Sequence, residues 1–114
     1  MCWHAKTVME MTQLTPEEWR NENTRALFQA IVGIEDVDAA ARFFRDLCTR
    51  QELEELSARW LVVRMLDEGL PYREISERSG VSTTTITRIN DWLRHGSGGY
   101  GEALVRVGLR KAES

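Results

Sequence analysis

Apolar residues recur three and four positions apart along most of the chain, the spacing that places them on one face of a helix. No stretch alternates apolar and polar residues as a half-buried strand does, and neither repeats nor low-complexity tracts are present. The pattern therefore predicts an all-α fold of about six helices. The helical segments are 15–33, 36–48, 49–68, 72–95 (two helices) and 100–110.

Capping residues mark the starts of the first three helices. Thr15 can cap the first helix, with Pro16 in its first turn and Glu18 completing a capping box. Asp36 is predicted to cap the second helix, and the sequence Thr49-Arg50-Gln51-Glu52 forms another capping box. The predicted buried faces of the first two helices are Trp19, Ala26, Leu27, Ala30 and Ile31, then Val37, Ala40, Ala41, Phe44, Leu47 and Cys48.

The third helix, ending at Gly69, is apolar around much of its circumference, so most of its sides must be covered. A chain of 114 residues has few other helices to cover it. We therefore expect a homodimer formed through residues 15–68. The domain prediction is a flexible arm over 1–14 and one helical domain over 15–110.

Residues 72–95 have the spacing of a helix-turn-helix. Gly80 suits a left-handed turn residue, and Ser82 can cap the second helix. The predicted apolar seam is Ile75, Val81, Ile86 and Ile89, and the predicted exposed face is Ser82, Thr83, Thr84, Thr87 and Arg88.

Hydroxyls and a guanidinium on that face suit phosphate oxygens and base edges in the DNA major groove. A helical hairpin that only packs is the alternative. Two observations favour DNA binding: residues Ser82 to Thr85 are middling helix formers, and this part of the chain is basic. Residues 1–68 carry 8 basic and 13 acidic side chains, whereas residues 69–114 carry 7 and 5, within a net charge of −3.

Other chemistry finds little support in the sequence. Cys2 and His4 are too few for a metal site at a free end, and Cys48 has no nearby histidine, so it is predicted to be a core residue. The glycine-rich residues 96–99 lack the Lys-Ser or Lys-Thr of a phosphate loop. We expect no enzyme activity, cofactor, metal or membrane segment, and a cytoplasmic protein.

Three stretches resemble the Trp repressor superfamily, and within it the YerC/YecD-like branch: RFFRDLCTRQELEELSARW, VVRMLDEGLPYREISERSGVSTTTITRIN and GSGGYGEAL. These stretches lie between residues 42 and 104, and the resemblance extends over about residues 27–105. The resemblance implies an intertwined homodimer with two helix-turn-helix heads, each of which binds half of a palindromic operator in double-stranded DNA. It also implies a transcriptional regulator of the bacterial cytoplasm.

The resemblance also implies roles for individual residues. Arg73 corresponds to a base-contacting arginine, Thr83, Thr84 and Thr85 to the operator-facing start of the recognition helix, and Thr87 to a phosphate contact. The full predicted DNA-binding set is Tyr72, Arg73, Ser82, Thr83, Thr84, Thr85, Thr87 and Arg88.

In the Trp repressor, the corepressor tryptophan lies between two arginines, to which Arg59 and Arg88 correspond. Ile89 and Trp92 stand where that family has small residues beside the ligand. We hypothesise that the two side chains fill the pocket, leaving a vestigial effector site, and that Trp92 stacks on Arg88 or packs in the core.

The sequence therefore predicts a DNA-binding transcriptional regulator, a repressor that does not bind tryptophan, with any other effector unknown. The alternative is a dimeric protein-interaction module that does not contact DNA.

Overall fold

The computed structural model describes residues 18–110, which fold into helices joined by short turns, with no strand in that range. The predicted arm over 1–14, the Thr15-Pro16-Glu17 helix start and the residues Cys2 and His4 lie outside the described range. The helices are α1 (Glu22–Val32), α2 (Val37–Leu47), α3 (Arg50–Asp67), α4 (Tyr72–Ser79), α5 (Thr83–His95) and α6 (Gly99–Arg106). The prediction of an all-α fold with about six helices is confirmed.

Two compact units make up the chain, with the boundary between Asp46 and Leu47. The first contains α1 and α2, and the second contains α3 to α6. The expectation of one domain over 15–110 stays a prediction. No helix among residues 18–110 is long and apolar enough to cross a membrane.

Helix α1 begins later than the sequence pattern predicted. Glu18 and Trp19 lie in a turn, and Asn21 is the cap: its side chain accepts the backbone N–H groups of Asn23 and Thr24. The Thr24 hydroxyl in turn accepts the Asn21 N–H at 3.0 Å and donates to the Trp19 carbonyl at 2.7 Å. The capping box of Asn21 and Thr24 starts the helix at residue 22. The prediction of helix across residues 18–21 was therefore wrong.

The apolar faces of α1 and α2 are largely open to solvent in the single chain. Neither helix contains a buried residue, and Val37, predicted to be buried, is 84% exposed. In α1, the rings of Trp19 and Phe28 meet edge to face at 6.2 Å, yet both remain nearly half exposed. Burial of these faces therefore needs protein surface that one chain's first unit does not contain.

Helix α3 begins and ends as predicted. The Thr49 hydroxyl accepts the Glu52 N–H at 3.1 Å, and the Glu52 carboxylate accepts the Thr49 N–H at 2.8 Å. The hydrogen bonds from the Thr49 backbone and hydroxyl lower the pKa of Glu52 below its ordinary value. All the buried residues of α3 lie in its C-terminal half: Val62, Val63, Met65 and Leu66.

The core of the second unit forms where α4 and α5 pack on that half of α3 and α6 packs on α5. Ile75, Ile86, Ile89 and Leu104 have no exposed surface, and Val81 and Tyr72 pack partly against them. The predicted seam of the helix-turn-helix is thus confirmed, with Leu104 of α6 added to it. Full burial of an isoleucine side chain contributes about 1.5–3 kcal/mol, so this cluster fixes α5 against α3.

Helix α6 ends at Arg106, four residues before the predicted end at residue 110. The Leu104 carbonyl accepts the N–H groups of Leu109 and Arg110, and Gly108 has a φ of 81°, which glycine adopts at little cost. The chain thereby turns back, and the Arg110 guanidinium forms an ion pair with Asp67 at the end of α3.

Candidate nucleic-acid interface

The turn between α4 and α5 is closed by three local interactions. Gly80 has a φ of 76°, and its N–H donates to the Ser76 carbonyl at 2.9 Å. The Ser76 hydroxyl donates to the Val81 carbonyl at 2.7 Å, and the Val81 N–H donates to the Ser79 hydroxyl at 3.1 Å. The N–H of Gly80 and both backbone groups of Val81 are therefore satisfied within the turn, which restrains the angle between the two helices.

Helix α5 begins at a serine cap, as predicted. The Ser82 hydroxyl oxygen accepts the Thr85 N–H at 3.2 Å and lies 3.1 Å from the Thr85 hydroxyl. The Thr87 hydroxyl donates to the Thr83 carbonyl at 2.9 Å. Ser82, Thr85 and Thr87 are thus held by local bonds, so their oxygen atoms have defined positions at the start of the helix.

The two faces of α5 are separated cleanly by polarity. Ile86 and Ile89 point into the core and have no exposed surface. The residues between and before them are exposed: Ser82, Thr83, Thr84, Thr87 and Arg88. The buried isoleucines hold the helix while its other face presents hydroxyls and one guanidinium to solvent. This is the arrangement that lets a recognition helix enter a major groove.

Helix α4 adds two more arginines, each paired with a glutamate one turn away. The Nε of Arg73 lies 3.6 Å from the Glu77 carboxylate, and the guanidinium of Arg78 lies 3.2 Å from that of Glu74. The Arg73 side chain is 92% exposed and its partner 68% exposed. Among residues 18–110, Arg88 on the exposed face of α5 has no such ion pair, so its charge is not balanced locally.

Two members of the predicted DNA-binding set are less exposed to solvent than the others. Tyr72 is half-buried and packs against the core of the second unit. Thr85 is also half-buried and takes part in the Ser82 cap. Both therefore have a structural role in the head, and their contact with DNA stays a prediction.

The predicted effector-site residues have different environments. Ile89 is fully buried, whereas Trp92 is 47% exposed and lines a recess of about 350 Å³ with Gly96 and Tyr100. Core packing of Trp92 was therefore the wrong expectation for the single chain.

The predicted stacking of Trp92 on Arg88 was also wrong. Within the described range, the cation–π contact is that of Arg20 over Trp19, at 5.0 Å.

Arg59 lies beside the turn of the helix-turn-helix. It lines a groove of about 380 Å³ whose other walls include Ala58 of α3, Gly80, Val81 and Thr85. Arg59 and Arg88, predicted to correspond to the two arginines of the corepressor site, both lie in the second unit, Arg59 on α3 and Arg88 on α5.

Several residues that shape this interface were missed in the sequence. Ser76 and Ser79 close the turn, and Glu74 and Glu77 neutralise the arginines of α4. The ion pairs had a detectable signal, since arginine and glutamate four residues apart face each other on a helix. The turn serines had none beyond their closeness to Gly80.

Residues 18–110 hold no group of three or more His, Cys, Asp or Glu side chains placed to bind a metal ion.

Comparisons with known proteins agree on one family. The model of the family described as Trp repressor protein matches residues 22–108. The uncharacterized Bacillus subtilis protein YerC is 39% identical over 98 residues, which cover 86% of this chain and 94% of YerC.

Two crystal structures have the same fold. A TrpR-like protein from Eubacterium eligens is 39% identical, with a TM-score of 0.76 over 83% of this chain and 98% of that one. A Staphylococcus aureus protein, described only as a proposed Trp repressor, is 34% identical, with a TM-score of 0.77 over 88% of this chain and 100% of that one.

Proposed function

The chain belongs to the Trp repressor family, a kind of helix-turn-helix DNA-binding regulator, and from this premise we propose that it is a sequence-specific transcriptional repressor acting as a homodimer in the bacterial cytoplasm. The observation that carries the proposal is the two-faced α5, with Ile86 and Ile89 buried and Thr83, Thr84 and Arg88 exposed.

A second copy of the chain is the partner proposed for the open apolar faces. Val32 and Val37 are more than 80% exposed, and Leu47 and Leu56 are about half exposed. Large apolar side chains exposed at this density mark an interface. Pairing through residues 15–68 would cover them and would place two heads on one duplex. Two heads also compensate for the modest positive charge of each, because linked sites bind with a raised effective concentration.

The proposed mechanism is occupancy of the operator. Each α5 enters one major groove, where Thr83 and Thr84 reach base edges or phosphates, and Arg73 and Arg88 add charge-assisted hydrogen bonds. Ser82 and Thr87 complete the phosphate contacts. Bound across two successive grooves, the dimer would exclude polymerase or a competing factor.

Tryptophan is not the proposed effector. The resemblance implies that Ile89 and Trp92 stand where the Trp repressor has small side chains beside its ligand, and Ile89 is completely buried. The added volume would occupy the space that holds tryptophan in the Trp repressor. Isothermal titration calorimetry with L-tryptophan should show no heat of binding at micromolar concentration, and a saturable micromolar isotherm would contradict this part of the proposal.

The central experiment is in vitro selection of duplex DNA by the full-length protein, followed by fluorescence anisotropy at several salt concentrations. The proposal expects a palindromic consensus and an affinity that falls steeply with salt, because phosphate contacts release counterions. Light scattering should give the mass of two chains. A protein that enriches no sequence and binds duplex DNA no better than a Thr83→Glu, Thr84→Glu variant would overturn the proposal.

A further inference from the structure

The two helices of the helix-turn-helix differ in how their arginines are balanced. On α4, Arg73 and Arg78 face Glu77 and Glu74, so the four charges sum to zero. On the outward face of α5, Arg88 has no acidic partner within the described residues. The outward face of α5 thus carries an arginine without an ion pair, whereas Arg73 of α4 is engaged before any DNA arrives.

The Arg73 pair is fully at the surface. With exposures of 92% and 68%, neither side chain gains packing from the other, and the 3.6 Å distance from Nε to the carboxylate is that of a loose ion pair. The order of charges is also the weaker one for a helix, because arginine precedes glutamate. An ion pair of this kind contributes little to stability. The main effect of the Arg73–Glu77 pair is to restrain the position of the Arg73 guanidinium.

Resting on the proposed function, in which Arg73 contacts a base, we infer that Glu77 competes with DNA for Arg73 and so limits operator affinity. In the contact that we infer, Arg73 binds guanine through Nε and one terminal nitrogen. Because Nε is the atom that faces Glu77, the guanidinium must leave the carboxylate to make that contact. Each bound head therefore loses one ion pair.

The effect of Glu77 on the binding free energy should be small, and it should be twice as large for a dimer with two bound heads. Exposed ion pairs are worth about 0.2–1 kcal/mol, which corresponds to roughly 1.5- to 5-fold in affinity for each head. Two heads on a palindromic operator multiply this to roughly 2- to 25-fold. Salt screens exposed charges, so the difference should shrink as the ionic strength rises.

Glu77→Gln is the test variant, because glutamine keeps the length and helix propensity of the side chain and removes the charge. Its affinity for the selected operator should rise by the stated factor. A double-mutant cycle with Arg73→Ala separates the two explanations for a gain. If Glu77 acts by holding Arg73, the gain should fall to near 1-fold in the Arg73→Ala background. If it only repels phosphate, the gain should persist there.

The choice of duplex adds a second criterion. Arg73 leaves Glu77 only where its contact with DNA is stronger than its pair with Glu77. The increase in affinity caused by Glu77→Gln should therefore be at least as large on the operator as on random duplex DNA. An unchanged operator affinity, or a gain undiminished in the Arg73→Ala background, overturns the inference while the wild type still binds DNA. Absence of DNA binding by the wild type overturns the proposed function and the inference with it.

Discussion

The Ser76 hydroxyl donates a hydrogen bond of 2.7 Å to the carbonyl oxygen of Val81, five residues on, and so ties the end of α4 to the start of α5. The bond is partly buried, and it spans Gly80, whose left-handed conformation makes the turn possible. The angle of the recognition helix therefore depends on a single hydroxyl as well as on the apolar seam beneath it.

Ser76→Ala should lower the free energy of unfolding by about 1–2 kcal/mol, because the partly buried Val81 carbonyl loses its donor. Chemical denaturation at a fixed protein concentration measures this, since dimer stability depends on concentration. Ser57→Ala, an exposed position within α3, is the matched control and should change stability by less than about 0.5 kcal/mol. Equal stabilities for the two variants would show that the bond contributes nothing.

Gly80→Ala should destabilise the protein by about 1–2 kcal/mol through backbone conformation alone. A Cβ at this position would contact nothing within 4 Å, yet the φ of 76° is unfavourable for alanine. Gly99→Ala is the control, because that residue also has open space and lies in the first turn of α6 without a positive φ. Thermal unfolding of both variants should show a loss at residue 80 and a neutral or stabilising change at residue 99.

Arg110→Met should cost about 1–2 kcal/mol, because Asp67, only 19% exposed, loses its charge-assisted partner. The figure is at the lower end for such bonds because Arg110 itself is one-third exposed. Arg106→Met removes an exposed arginine from α6 and serves as the control. The same loss in both variants, measured by urea denaturation, would mean that net charge and not the Asp67 contact is responsible.

Glu52→Gln should remove part of the stability gained by the wild type on going from acid to neutral pH. The Thr49 N–H and hydroxyl lower the pKa of Glu52 in the folded protein. The resulting stabilisation is therefore fully present above the pKa of the unfolded glutamate, about 4.5, and is lost as the pH falls through the folded value.

The amide oxygen of glutamine can still accept the Thr49 N–H, but its affinity for that donor does not vary with pH. Unfolding curves of wild type and Glu52→Gln should therefore converge below pH 4.5 and separate above it. Curves that stay parallel across the whole range would contradict this assignment.

Arg73→Ala should weaken operator binding by about 1–3 kcal/mol if the arginine makes a bidentate base contact. Arg78→Ala is the matched control: it removes an arginine from the same helix that is also paired with a glutamate, at 3.2 Å. Fluorescence anisotropy on the selected operator and on a version with the contacted base changed would compare them. If Arg73→Ala loses as much affinity on both duplexes, the arginine contacts phosphate and not a base.

The helix-turn-helix was predictable because its signals are local. Gly80 and Ser82 mark a turn and a cap by residue type, and the isoleucine spacing gives the buried face directly. The capping box at Thr49 and Glu52 was predicted for the same reason. In each case, residues within four positions of one another determine the structure.

The errors arose where two local signals competed or where distant residues decided the outcome. Thr15 and Asn21 each offer a cap for α1, and the Asn21–Thr24 box makes the break after Trp19. The end of α6 depends on a chain reversal at Gly108 and on Asp67, 43 residues before Arg110. Periodicity predicted an apolar face on α2 correctly, but it cannot say which molecule covers that face.

In the proposed dimer, helix α3 would connect the dimer interface to the helix-turn-helix, so a tilt of α3 would move the helix-turn-helix. The 18 residues of α3 span about 27 Å, and only the final turns are anchored in the core of the second unit. In a dimer held by the opposite end, a tilt of about 10° would displace the reading head by about 5 Å, more than the 3.4 Å rise of one base-pair step. The separation of the two half-sites would then be set by how rigidly the partner subunit holds the first turns of α3.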